Sequence, residues 1–211
     1  MYRFVLAALL AAATTAHAVT FYAIKPSATT TGIDPQFDHL HEIYFNANKT
    51  PRNKLVVFLP GTGVAPNVYK YFPETAAQNG FHVINLSYVN SFAFIGMAVT
   101  NNCDSCYYET RLEILTGQNT STFETVSRNN SIEHRLIMAL EWIDTAQPSQ
   151  NWAQFLDGTN ILWENIVIAG HSQGAGQAGF IAKQYTVDRA IMFDSGDWYE
   201  AESRAASWIS A

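Results

Sequence analysis

Two cysteines, seven prolines and a 14% share of charged residues are all that this 211-residue chain holds of those types. Two cysteines are too few for a disulfide-stapled miniature scaffold and leave a four-ligand zinc site two ligands short, with no candidates at suitable spacing. With 48% hydrophobic positions against so little charge, the chain is neither disordered nor fibrous and has material for one well-buried globular domain. A surplus of positive charge is also missing. The formal net charge of −6 argues against nucleic acid as a partner. No run after the N-terminus approaches the ~20 apolar residues that span a bilayer.

The N-terminus differs from the rest. Arg3 precedes the apolar run 4–13, and Ala16-His17-Ala18 has the small-x-small form of a signal-peptidase site. Residues 1–18 read as a removed secretory signal, with an uncleaved anchor as the alternative, although the run is roughly half of what a span needs. The expected location is extracellular or periplasmic, with one domain over 19–211 and no integral membrane segment once the signal is gone.

In an exported chain, an even cysteine count favours a disulfide between Cys103 and Cys106. So short a loop removes little unfolded-state entropy, so the bond would shape a loop more than stabilise the fold. A redox pair normally opens a helix after a strand, whereas here a polar loop is expected.

Residues 41–46, 55–59, 81–86, 165–169 and 189–193 read as strands. The run 55–59 is apolar without alternation, as in a parallel strand covered on both faces. Helices are expected over 66–78, stopped by Gly80, over 131–143 with Ser131 as N-cap, and over 173–184, with a short one near 107–115. The rhythm is that of an α/β domain whose mostly parallel sheet carries helices on both faces. Between 88 and 130 the pattern dissolves into an Asn/Ser/Thr-rich insertion. It reads as a lid whose aromatics suit either an apolar pocket or the core.

The segment Gly170-His171-Ser172-Gln173-Gly174 stands between an apolar strand and a small-residue helix. A strand-to-helix turn of the form Gly-x-Ser-x-Gly lifts the serine above the sheet's C-terminal edge, beside the unpaired N–H groups of the next helix. The loop Pro60-Gly61-Thr62-Gly63 follows an earlier strand, where a second oxyanion donor belongs. The Thr62 and Gln173 N–H groups are the candidate donors, since Pro60 has none.

On these segments the chain resembles the α/β-hydrolase superfamily, particularly exported lipase- and esterase-like members, over roughly residues 41–200. The resemblance implies Ser172 as nucleophile, an acyl-enzyme, a small-molecule or lipid ester substrate, and neither metal nor organic cofactor. It also implies an acid and then a histidine after the serine. Asp197 is the preferred acid, ahead of Asp194. No histidine follows Ser172. His39 and His41 lie far upstream. His82 is expected at the sheet edge opposite the site, His134 on a helix, and His171 diverges from its neighbour, so none is placed to serve as base. The expected fold ends after about the sixth strand, as in a C-terminally incomplete hydrolase. A binding domain that has lost the triad is the competing reading.

Overall fold

The computed structural model describes residues 19–99, 103–194, 196–199 and 202–210, and the expected signal segment 1–18 lies outside them. Strands in chain order are β1 (Thr20–Ile24), β2 (His41–Phe45), β3 (Leu55–Leu59), β4 (His82–Asn85), β5 (Leu156–Asp157), β6 (Asn160–Ile161), β7 (Ile166–His171), β8 (Arg189–Phe193), β9 (Trp198–Tyr199) and β10 (Arg204–Ala205). Helices are α1 (Pro26–Thr29), α2 (Tyr71–Gln78), α3 (Ala93–Ala98), α4 (Cys106–Thr116), α5 (Ile132–Ala146), α6 (Gln173–Gln184) and α7 (Ser207–Ser210).

The main sheet runs β1-β2-β4-β3-β7-β8. Its four strands from β4 to β8 are parallel, while β1 and β2 join antiparallel at one side. All five residues of β3 are buried because both faces are covered. Leu55, Val57 and Leu59 face the larger core with Leu136, Leu140, Phe180 and Ile181 of α5 and α6. Val56 turns to the other face with Ala77 of α2. At the β8 side, Met192 and Phe193 remain 47% and 41% exposed.

Local chemistry sets the boundaries. Ser131 Oγ accepts the His134 N–H at 3.3 Å and caps α5. The helix expected over 66–78 is broken into a 3₁₀ turn, Pro66–Tyr69, followed by α2. Pro73 lacks the N–H that would bond back to Tyr69. The expected short helix is α4, longer by one residue at each end. Within the insertion, the buried Glu113 carboxylate accepts the N–H groups of Thr120, Ser121 and Val126, which gives the loop after α4 a fixed path.

Cys103 and Cys106 are joined in a disulfide. The expectation that both lie in a loop is corrected: Cys106 is the first residue of α4 and is buried. His82 starts the interior strand β4, at the edge of the sheet opposite its C-terminal side, as expected.

Candidate active site

From β3 the chain crosses to β4 on one side, and from β7 it crosses to β8 on the other. The carboxyl ends of β3 and β7 therefore flank the point where the winding direction reverses. A crevice opens at such a point because the two outgoing loops part. The loop after β3 carries Thr62, and the turn after β7 carries Ser172.

Ser172 has φ 53° and ψ −120°, a conformation that costs a non-glycine residue about 1–3 kcal/mol. Several contacts hold it there. Its N–H donates to Phe193 O at 2.9 Å, and its carbonyl accepts the Ala175 and Gly176 N–H groups at 3.0 and 3.1 Å. The flanking glycines are required sterically: a Cβ on Gly170 would run into the Gly174 backbone, and one on Gly174 into the Leu59 and Pro60 backbone. The tight turn thus lets α6 start directly above the end of β3.

The loop after β3 is fixed from outside. Tyr88 Oη donates to Pro60 O at 2.8 Å, Asn90 Nδ2 donates to Gly61 O at 2.6 Å and Val64 O at 2.9 Å, and the Gly63 N–H donates to Asn90 O at 2.7 Å. Among the described residues, the Thr62 N–H has no partner. The Gln173 N–H, first in α6, has no intrahelical acceptor. Thr62 Oγ1 donates to Gln173 Oε1 at 2.8 Å, so the two candidate donors are tied together.

A cavity of about 480 Å³ brings the expected residues to one place: Thr62, Ser172, Gln173 and Asp197 all line it, with Asp194 and Arg111. Its apolar wall comes from Phe94, Ile95, Ala98 and Val99 in and after α3, with Tyr107 and Trp198. Of the insertion's aromatics, Phe94 and Tyr107 line the cavity. Tyr88 is instead a buried clamp on the Thr62 loop, its phenol pushed up by burial.

Asp197 is 4% exposed and its carboxylate is already engaged. Arg111 Nε donates to Oδ2 and Nη2 to Oδ1, each at 2.5 Å, and Trp208 Nε1 donates to Oδ2 at 2.7 Å. Sequence reasoning missed Arg111. Its position on a helix gave no sign of burial, because the partner Asp197 lies 86 residues away.

Among the described residues, no histidine lines this cavity. His171 Nδ1 lies 3.0 Å from Tyr69 Oη. His82 Nε2 lies 2.8 Å from Gln150 O, in a nest of Phe45, Trp152 and Phe155 rings. His134 Nε2 is 3.2 Å from Thr30 Oγ1. His41 Nδ1 accepts the Ser87 N–H at 3.0 Å, and burial, reinforced by the Arg135 cation, pushes the ring down to about 3.

Comparison with protein-family models and with curated proteins finds no match. Among solved structures, the chain is similar to a bacterial heroin esterase at 14% identity and TM-score 0.42, covering 82% of this chain and 42% of that one. It is also similar to esterase B from Lactobacillus rhamnosis, crystallised with a C4-C4 SN3 tributyrin phosphonate, at 14% identity and TM-score 0.38, covering 84% and 47%. The chain spans less than half the length of either neighbour. With its sheet order, its parallel core covered on both faces and its serine at the strand-to-helix turn, the chain has an α/β-hydrolase fold.

Proposed function

We propose that this chain is an exported serine hydrolase of carboxylic esters with Ser172 as nucleophile. One observation carries the reading: Ser172 is held in a strained backbone conformation and lines one cavity together with Thr62 and Gln173, the residues of the two candidate oxyanion donors. In the proposed reaction, Ser172 Oγ forms a bond to the ester carbonyl carbon. The C=O π pair moves onto oxygen, facing the Thr62 and Gln173 N–H groups. Collapse breaks the bond to the alcohol oxygen and leaves acyl-Ser172, which water then hydrolyses. The hydroxyl proton passes to water in the cavity or to the carboxylate of Asp194, a residue that lines it, and the alcohol leaves with a proton from solvent. The apolar wall from α3 and Trp198 suits the acyl chain. Export is supported by the signal-type N-terminus, and the disulfide agrees with an oxidising compartment.

The absence of histidine from the described cavity favours a second reading, a ligand-binding domain with little or no turnover. Hydrolysis of short-chain p-nitrophenyl esters separates the two. The hydrolase reading expects slow turnover through Ser172 that falls in Ser172→Ala toward the roughly 10³–10⁴-fold over water that an oxyanion hole and binding supply without a nucleophile. Equal rates for native chain and variant support the binding reading.

A further inference from the structure

Arg111 and Asp197 are the two halves of a buried ion pair lining the same cavity as Ser172, with 1% and 4% of their side chains exposed. Arg111 reaches beyond Asp197. Its Nη1 donates to Gln173 O at 3.2 Å and to Gln177 Oε1 at 3.3 Å, and Gln177 Nε2 donates back to Arg111 O at 3.0 Å. The guanidinium lies 4.4 Å from the Phe94 ring centroid and 5.9 Å from that of Trp208, so it is enclosed by rings as well as by acceptors.

A pair this deeply desolvated is a poor stabilising device, because an apolar pair of similar volume is often neutral or better. What it does supply is position. Gln173 is gripped at its carbonyl by Arg111 and at its side chain by Thr62, so a residue that lines the cavity and carries a candidate oxyanion donor is held at both ends. We propose that Arg111 and Asp197 are a positioning pair: Asp197 fixes the guanidinium, and the guanidinium fixes the first turn of α6 so that the Gln173 N–H points at the oxyanion. This rests on Ser172 being the nucleophile. It also gives Asp197 a role that needs no histidine, as the acceptor of two bonds from Arg111 and one from Trp208.

The test is inactivation of the full chain by a fluorophosphonate, resolved into KI and kinact, with thermal unfolding followed alongside. In Arg111→Met/Asp197→Leu, melting stays within a few degrees of native or rises, KI changes less than about twofold, and kinact falls at least about tenfold, toward the cost of losing an oxyanion donor. Arg111→Lys, which keeps the charge but not the fork, falls between the two. Gln177→Leu, which leaves the ion pair intact, lowers kinact by a smaller factor. If the double variant does not fold, Arg111→Lys and Gln177→Leu decide: unchanged kinact in both overturns the proposal, as does native kinact in a folded double variant. A native chain that is not labelled at all overturns the nucleophile reading first, an outcome distinct from labelling that ignores Arg111.

Discussion

The Thr62 hydroxyl donates to the Gln173 amide oxygen at 2.8 Å, across 111 residues of sequence. This bond closes the gap between the loop after β3 and the first turn of α6, and sets the spacing of two N–H groups on which the proposed oxyanion site depends. Thr62→Val keeps the backbone N–H and removes the tie. The expected loss is one side-chain hydrogen bond of about 1 kcal/mol, or roughly fivefold in the rate of Ser172 phosphonylation. Unfolding in urea checks that the effect is local, since the midpoint should move little.

Steric necessity at the elbow makes a sharper prediction. Gly174→Ala places a methyl group into the Leu59 and Pro60 backbone, and Gly170→Ala places one into Gly174. Neither contact is with a side chain that could swing away. Each variant should lose about 3 kcal/mol or more, or fail to accumulate as folded protein. Gly96→Ala in α3, where an added Cβ meets nothing within 4 Å among the described residues, should instead gain about 0.5–1 kcal/mol from helix propensity. Denaturant midpoints of the three variants check both directions.

Stability should depend on pH through buried imidazoles. His41 is held neutral in the folded state, its ring at about 3 against 6.5 when unfolded, by burial and then by Arg135. Burial also lowers His82 and His134. The unfolded chain thus binds more protons below 6.5, and the stabilisation is complete above that pH and drains away as pH falls toward 3. His41 alone accounts for about 2 kcal/mol between pH 7 and pH 5. Urea titrations at the two pH values measure it, and His41→Asn should flatten the dependence.

Much of the scaffold is legible from local pattern. The apolar run of β3, the Ser131 cap of α5 and the Gly80 stop after α2, at φ +87°, are written in adjacent residues, because hydrogen-bond closure and backbone freedom act locally. Ser172 and its glycines are legible for the same reason. What was hidden depends on contacts distant in sequence. β1 pairs with β2 at the sheet's side, and its residues, exposed or only partly buried, lack the apolar run that marked β3. Arg111 and Arg135 lie on helices, where charge is read as facing solvent, yet each is about 1% exposed and held by partners from other segments. The reversal of winding between β3 and β7 is a property of strand order, which no single segment carries.

The central claim is that Ser172 is an activated nucleophile, and the most direct measurement is covalent labelling of the intact chain by a fluorophosphonate, with the modified residue located by peptide mass spectrometry. A single adduct on Ser172, absent in Ser172→Ala and abolished by unfolding the chain beforehand, is the predicted result. A folded native chain that takes up no label, or takes it up equally when Ser172 is alanine, would contradict it.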